Sequence, residues 1–292
     1  MTASPRLQPH VIGMILMACV GLVFATHDTV SKTLVATLPV VFVAWARYLS
    51  HTCLVGLILY AGKTRALPRT RRPWLHLFRA LCLTGDTLFF LYGLVHVPLA
   101  ETTALIFLAP TFVTILSPLV FGTRMKAIQW VSVIVGFIGV LAIINPQSDG
   151  FNLWYLSPLA AAFFFALYQI LTQVAGETDA PSTSSFYVGA FATLLLSALV
   201  PFHWVDASMP EWTTLLALGG TGLCGHFLLS KSYRYASSAV LAPLGYLQIV
   251  FATLLGMLVF NTEPAPTSLV GIALVLTSGL LVYSRKRVVV TG

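Results

Sequence analysis

The chain has 292 residues, of which 58% are hydrophobic and 9% are charged, and its formal net charge is +7. A soluble domain carries about 25% charged residues, so this composition excludes a water-soluble globular protein and indicates a surface that faces lipid. The basic residues lie in short loops between apolar runs, which argues against nucleic acid as a partner. The four cysteines stand singly in apolar segments, and no Cys/His spacing predicts a metal site or a disulfide framework.

Ten apolar runs have the length of a membrane-spanning helix, which needs about 20 residues to cross the hydrocarbon core. Prolines and glycines separate the runs, as expected for turns. The predicted helices, numbered 1 to 10, cover 10–31, 38–60, 74–95, 98–121, 126–145, 153–174, 184–202, 212–234, 237–260 and 265–284. The sequence therefore predicts an all-α integral membrane protein with ten transmembrane helices.

The lysines and arginines fall almost entirely on one side of these ten helices. They occur in the loops between helices 2 and 3, 4 and 5, and 8 and 9, and in both terminal segments, whereas the opposite side holds only Lys32. The positive-inside rule then places both termini in the cytoplasm. The loop between helices 6 and 7 departs from this pattern, because it carries Glu177 and Asp179 and no base, but acidic residues contribute little to the rule.

A segment of helix 4 returns in helix 9. Leu108–Thr123 aligns without a gap with Leu247–Thr262, 139 residues later, and eight of the sixteen positions are identical. The period spans five helices, an odd number, so the second half is predicted to cross the membrane in the opposite orientation. Such inverted repeats are common in secondary transporters, whose substrate site lies near the bilayer midplane. Pro110 and Pro243 lie in the repeated region, where a hinge would serve alternating access.

Several segments resemble the drug/metabolite transporter superfamily, in the form that has two EamA-type halves of five helices each. These segments are FATHDTVSK at 24–32, LPVVFVAWARYL at 38–49, PLAETTAL at 98–105 and FLAPTF at 107–112. Arg47 matches the helix 2 arginine of the family. The pattern of Asp28, Lys32 and Arg47 looks most like the branch that includes riboflavin and S-adenosylmethionine carriers and opine-metallophore exporters.

The resemblance covers essentially the whole chain and implies EamA repeats at 10–145 and 153–284. It implies a basket of helices 1–4 and 6–9 around a central cavity, with helices 5 and 10 at the periphery. It also implies a location in the inner membrane of a bacterium and transport without ATP hydrolysis. The sequence agrees with the last point, since it has no GxxxxGK[ST] loop to hold phosphates.

Charged residues at membrane depth are candidate functional residues, because placing one at a helix centre costs about 2.5–3.5 kcal/mol on insertion scales. Asp28 and Lys32 are one turn apart on helix 1, and they form either an outer gate or substrate-amine contact, or a self-neutralising pair. Arg47 in helix 2 requires an anion, supplied by a structural ion pair or by a substrate carboxylate. The candidate ion-pair partners of Arg47 are Asp28, Asp86 and Glu101.

Two further acids and one base in the first half carry expectations of their own. Asp86, near the middle of helix 3, suits proton coupling or cation binding, and the alternative is a protonated or Arg47-paired acid facing the bundle interior. Arg79 lies two turns below Asp86 and is expected to snorkel to the cytoplasmic interface. Glu101 begins helix 4, where an acid favours the helix dipole, so capping is its expected role.

The second half offers neutral polar groups and aromatic rings at the same depth. Polar pairs at i,i+4 spacing mark helix faces that are expected to look inward. These pairs are Tyr168 with Thr172, Gln169 with Gln173, and His226 with Ser230. The histidine is interpreted as a group that titrates near neutral pH or as a hydrogen-bonding residue, and the aromatic rings as platforms for a planar substrate or as packing. The predicted substrate-binding residues are Asp28, Arg47, Asp86, Glu101, Tyr168, Gln169, His226, Tyr246 and Gln248.

The leading hypothesis is a secondary transporter that exports a small polar or amphipathic metabolite, such as an amino-acid-like compound, by alternating access with proton coupling. The alternative is an uptake carrier or uncoupled facilitator for a vitamin or nucleoside-like metabolite such as riboflavin or S-adenosylmethionine. The HExxH and GxSxG motifs of hydrolytic enzymes are absent from the sequence, so we expect no enzymatic activity and no cofactor or metal. The expected partners are a small-molecule substrate, the bilayer and protons, and the chain is expected to be a monomer or a weak dimer.

Overall fold

The structure is a computed structural model that describes residues 8–61, 69–122, 126–145, 152–175, 178–236 and 238–283. Within these ranges it is helical and contains no strand. The helices are α1 (Pro9–Val35), α2 (Val40–Ala61), α3 (Pro73–His96), α4 (Leu99–Ile106), α5 (Ala109–Phe121), α6 (Ala127–Ile144), α7 (Leu156–Ala175), α8 (Pro181–Ser197), α9 (Met209–Ser232), α10 (Ser238–Gly245), α11 (Leu247–Phe260) and α12 (Pro266–Tyr283). Short 3-10 turns at Leu153–Tyr155 and Val200–His203 precede α7 and follow α8.

Every predicted membrane segment coincides with helical structure to within a few residues. Eight helical segments in the described ranges are long and apolar enough to cross a membrane. α8, with 17 residues, and the apolar helix Pro266–Leu281 are shorter, so the number of ten passes remains a prediction. The segments 1–7, 62–68, 123–125, 146–151, 176–177 and 284–292, which hold many of the charges used to orient the chain, Glu177 among them, lie outside the described residues.

Two predicted helices are broken, and the breaks are equivalent in the repeat. The helix predicted over 98–121 is interrupted at Phe107 and Leu108, and the helix predicted over 237–260 is interrupted at Tyr246. Both predictions of one continuous helix were therefore wrong. Phe107 and Tyr246 are separated by the 139-residue offset of the repeat, and their ring centroids lie 5.3 Å apart. The two halves therefore meet where each is interrupted.

A proline lies close to each break. Pro110 lies in the first turn of α5, where a missing backbone N–H removes no helical hydrogen bond. Pro243 lies inside α10, close to the end of that helix at Gly245. The expected hinge prolines are thus adjacent to real interruptions of the helices.

Small residues let α6 and α12 approach closely. A methyl group on Gly139 would lie 2.9 Å from the carbonyl oxygen of Gly271. Ser132 and Ser278 each donate a hydrogen bond to the other's carbonyl oxygen, at 2.8 Å in both directions. Close contact of membrane helices through small residues is typical of their packing.

The first three helices pack mainly on helices of the second half. α1 contacts α9 and α11, α2 contacts α8 and α9, and α3 contacts α7 and α8. A hydrophobic core runs along this junction and includes Phe42, Leu91 and Leu215, none of which is measurably exposed. The polar side chains of α1, α2 and α3 therefore lie opposite those of the second half.

Candidate functional site

Arg47 of α2 has no anionic partner in the described part of the chain. Among the described residues, no carboxylate oxygen lies within 4.0 Å of its guanidinium. The centre of the Tyr48 ring lies 5.8 Å from Arg47 Cζ. The side chain is half-buried. Its charge interacts at longer range with Asp28 of α1 and Asp86 of α3. The expected structural ion pair is therefore absent, which favours the alternative that Arg47 binds a substrate carboxylate.

Asp28 accepts a hydrogen bond from the second half. Its side chain is 7% exposed, and Gln248 Nε2 of α11 donates to its Oδ2 at 3.0 Å. The structure thus joins two predicted site residues that are 220 positions apart in the sequence. A neutral amide can yield its place to a substrate cation without leaving a buried charge of its own unpaired.

Lys32 does not pair with Asp28. Its ammonium group donates to the carbonyl oxygens of Leu94, at 2.5 Å, and Val97, at 2.8 Å. These groups belong to the last turn and cap of α3, where carbonyls lack helical partners and carry partial negative charge. The interpretation of Asp28 and Lys32 as a self-neutralising pair was therefore wrong.

Asp86 of α3 has neither a hydrogen bond nor a base within 4.0 Å among the described residues. It interacts electrostatically with Arg47 and Asp28, so it shares their region of the interior. Next to it, Thr87 forms a 2.6 Å hydrogen bond with the Tyr48 hydroxyl, which fixes α3 against α2. Asp86 thus presents an unpaired carboxyl group near an unpaired arginine.

Three histidines from three helices face the same region. His27 of α1 bonds Thr221 at 3.0 Å, and His51 of α2 bonds Ser185 at 3.3 Å. His226 of α9 interacts electrostatically with both histidines and with Arg47. His226 is exposed, and these interactions place it near the other two histidines.

His27 and His51 were missed by the sequence reasoning. His27 precedes Asp28 on helix 1, and His51 follows Arg47 by four residues and so shares its helix face. The i,i+4 spacing of Arg47 and His51 could have identified His51 as a candidate site residue. His226 packs edge-on against Phe24, with ring centroids 5.3 Å apart, and its partner in the predicted pair, Ser230, donates to its backbone carbonyl at 2.9 Å.

Arg79 is buried rather than snorkelling. Its side chain is 2% exposed, and Nη2 donates to Thr172 Oγ1 at 3.0 Å and approaches the Tyr168 hydroxyl at 3.5 Å. The expectation that it reaches the membrane interface was wrong, because α7 and α8 cover this face of α3 and supply acceptors for it. The polar face predicted for Tyr168 and Thr172 therefore meets an arginine.

Glu101 is buried and connects the two halves. It lies in the first turn of α4, as predicted, but its side chain is 4% exposed and does not cap the helix. Ser268 Oγ of α12 donates to Oε1 at 2.6 Å, and the Tyr155 hydroxyl donates to Oε2. Capping was therefore the wrong interpretation of this residue.

Tyr246 and Gln169 are the remaining predicted site residues. Tyr246 is buried at the break between α10 and α11, against Phe107 and close to Gly279 of α12. Gln169 is partly buried, and no described contact connects it to Arg47 or Asp86. The described residues contain no group of three side chains that could hold a metal ion.

Comparison with known proteins agrees with this architecture. The model of the EamA-like transporter family matches the chain twice, over residues 11–145 and 152–284. The chain therefore belongs to the EamA-like transporter family, and with it to the drug/metabolite transporter superfamily. It is a multi-pass membrane protein of a class that transports metabolites.

Several curated relatives match over nearly the full length. The S-adenosylmethionine uptake transporter of Rickettsia conorii is 27% identical over 94% of this chain and 93% of its own length. The riboflavin transporter of Vibrio cholerae is 29% identical over 91% of both chains. The pseudopaline exporter CntI of Pseudomonas aeruginosa is 27% identical over 94% of this chain and 97% of its own. A solved crystal structure with 17% identity superposes with a TM-score of 0.62 over 93% of this chain and 96% of the other, and thus has the same fold.

Proposed function

We propose that the protein is a secondary transporter of the bacterial inner membrane that moves a small dipolar metabolite, of amino-acid-like chemistry, by alternating access. The observation that carries this proposal is the presence of two opposite charges, Arg47 on α2 and Asp86 on α3, neither of which forms an ion pair within 4.0 Å among the described residues. A substrate carboxylate would neutralise the first and a substrate ammonium the second. Both side chains are half-buried, and charges at membrane depth without protein partners are costly, so a substrate that supplies both counter-charges would bind selectively.

The remaining polar groups suit the same substrate. Asp28, held by the neutral Gln248, is a second acceptor for a cation. His27 Nε2 is buried and has no hydrogen-bond partner among the described residues. With His51 and His226 nearby, this side of the site offers ring nitrogens to a substrate. The site is thus acidic toward α3 and rich in basic groups toward α2 and α9.

The orientation belongs to the proposal. Ten passes with both termini in the cytoplasm, and two repeats of opposite orientation at 10–145 and 153–284, follow from the charge pattern and from the odd number of helices in each repeat. The interruptions at Phe107 and Tyr246 support this arrangement, because broken helices in corresponding positions of two halves are typical of transporters with such repeats. We propose that the protein has no enzymatic activity.

Export is the direction that we propose, with proton coupling through Asp86, and a relative named as a pseudopaline exporter supports it. The alternative is uptake, or facilitated movement without coupling, of a vitamin or nucleoside-like metabolite. Relatives named as an S-adenosylmethionine uptake transporter and a riboflavin transporter support that alternative. S-adenosylmethionine also carries an α-amino acid group, so Arg47 and Asp86 would serve it in the same way.

Counterflow in proteoliposomes tests the proposal. Purified protein is reconstituted with unlabelled compound inside, and entry of the radiolabelled compound is measured for methionine, S-adenosylmethionine and riboflavin. We expect saturable counterflow of an amino acid compound, lost in Asp86→Asn, and accumulation above equilibrium when a pH gradient is imposed. Counterflow of riboflavin alone would favour the alternative, and no counterflow above empty liposomes across an extended amino acid panel would refute the dipolar-substrate proposal.

A further inference from the structure

A buried polar network joins the two halves at the end of α3 that begins with Pro73. Arg79 is its centre, and the other members come from α3 and the residues just before it, from α7 and α8, and from the loop between α7 and α8. Under the orientation proposed above, this is the cytoplasmic end of the molecule. The opposite, outer end of the interface is closed separately by Glu101 with Tyr155 and Ser268.

Hydroxyl groups and the imidazole of His76 hold the guanidinium of Arg79. Nε and Nη2 donate to Thr172 Oγ1 at 3.2 and 3.0 Å, Nη1 donates to Ser184 Oγ, and Nη1 approaches His76 Nδ1 at 2.9 Å. The Tyr168 ring lies 5.1 Å from the guanidinium carbon. In the described part of the chain, no carboxylate lies within 4.0 Å of this charge.

His76 extends the network to the loop between α7 and α8. Its Nε2 lies 2.7 Å from Asp179 Oδ2, in the loop between α7 and α8, and Thr70, before α3, donates to the same oxygen at 2.6 Å. The imidazole of His76 is fully buried and stacks on Tyr187 of α8. A continuous chain of contacts therefore runs from the loop surface through His76 and Arg79 to Tyr168, which the sequence placed among the substrate residues.

We propose that Arg79 is the latch of a cytoplasmic gate, which holds α3 against α7 and α8 while that end is closed and releases Ser184 and Thr172 when it opens. The inference rests on the proposed function, because only alternating access requires this end to open. Hydroxyl acceptors suit a latch, since water can replace them when the helices separate, whereas a buried carboxylate would be left as an unpaired charge. The contact with Tyr168 links the latch to the interior of the bundle.

The test measures access to the interior from each side of the membrane. The four native cysteines are replaced, and Leu83→Cys, one helical turn beyond Arg79 on the same face of α3, becomes the reporter. A membrane-impermeant sulfonated maleimide is applied to inside-out and right-side-out vesicles. The paired variant Thr172→Val with Ser184→Ala removes the acceptors but keeps the buried arginine.

We expect the paired variant to raise the labelling rate from the cytoplasmic side by about tenfold, the population change that loss of a charge-assisted hydrogen bond permits. Labelling from the outer side should fall or stay constant. Thr277→Val is the matched control, because its hydroxyl is recorded bonding only the Ala273 carbonyl in its own helix, at 2.8 Å. It should leave both rates unchanged.

Equal cytoplasmic rates in the reporter and in the paired variant, at matched amounts of folded protein, would overturn the latch. If the paired variant does not fold, Thr172→Val and Ser184→Ala are measured singly, and each should raise the rate by about threefold. Unchanged rates in both single variants would then refute the proposal. Because labelling requires no substrate, a failure here is distinct from a failure of the counterflow experiment: counterflow with unchanged labelling rejects the latch alone.

Discussion

The two halves of the protein share a helical plan but divide the polar chemistry unequally. The first half supplies ionisable side chains, and the second half supplies hydroxyl and amide partners. Ionisable side chains of the first half form these cross-half hydrogen bonds with neutral partners: His27 with Thr221, Asp28 with Gln248, His51 with Ser185, Arg79 with Thr172 and Ser184, and Glu101 with Tyr155 and Ser268. Among the ionisable side chains of the first half, the described exception is His76, which meets the carboxylate of Asp179 in the loop between α7 and α8.

The difference between the halves indicates how their interface can open. A hydrogen bond between a charged and a neutral group contributes about 1.5–3 kcal/mol, whereas breaking a buried ion pair by removing one partner costs about 3–5 kcal/mol. A transporter has to separate its halves at one end in every cycle. Contacts that join charged groups to neutral partners hold the ends closed without making them costly to open.

Removal of the Arg47 charge is expected to have the largest effect on transport. Arg47→Met should lower transport by about 100-fold or more, because a buried charge partner of the substrate is lost, while the amount of folded protein stays near that of the wild type. The reason is that Arg47 has no ion pair to lose in the described structure. Counterflow and gel-filtration yield measure the two quantities, and a large loss of yield would point to a structural role for Arg47.

The connection that Glu101 makes between the two halves should be weakened by Glu101→Gln. The change replaces a buried carboxylate that accepts hydrogen bonds from Ser268 and Tyr155, and we expect a loss of about 1.5–3 kcal/mol in the free energy of unfolding. Thermal unfolding in detergent measures it. Glu263→Gln, at an exposed acid, is the matched control and should change stability by less than about 0.5 kcal/mol. Equal effects of the two changes would contradict the account of Glu101.

Ser268→Ala tests the neutral side of the same contact. It should cost about 1 kcal/mol, less than Glu101→Gln, because one of two donors remains. In the double variant the two losses should not add, since both changes weaken the same contact. Additive losses in thermal unfolding would mean that Ser268 and Glu101 do not interact.

The contact of His76 with Asp179, the exception to the pattern, should make stability depend on pH. Hydrogen bonds from Thr70 and His76 lower the pKa of Asp179, so the ionised carboxylate is favoured in the folded state. Its contribution is then fully present above the pKa of an unfolded aspartate, about 3.9, and is lost as the pH falls through the lower folded value. We expect Asp179→Asn to reduce stability by a constant amount from pH 8 to about 5 and by less at lower pH. A difference from wild type that grows as the pH falls would contradict this sign.

The sequence predicted the helices well because lipid imposes a strict length on apolar runs. It did not predict the breaks at Phe107 and Tyr246, because an apolar run containing a proline reads the same whether the helix bends or stops. Both breaks lie at the start of the two segments that repeat at an offset of 139 residues.

The partners of the charged residues were harder to predict than the charged residues themselves. Arg79 meets Thr172 and Ser184, 93 and 105 residues away, and no local pattern encodes such contacts. The i,i+4 spacing of Asp28 and Lys32 was misleading, because the free carbonyls at the end of α3 are stronger attractors for the lysine. Spacing identifies which residues share a helix face, but tertiary packing decides which groups they meet.

The central claim is that Arg47 and Asp86 bind the opposite charges of one substrate, and the charge preference of binding tests it most directly. Isothermal titration would compare the zwitterionic ligand found by counterflow with its carboxamide and its N-acetyl derivative, on the wild type, Arg47→Met and Asp86→Asn. We predict that the wild type discriminates against both derivatives, that Arg47→Met no longer distinguishes acid from amide, and that Asp86→Asn no longer distinguishes amine from acetamide. Wild-type discrimination in both variants would contradict the account.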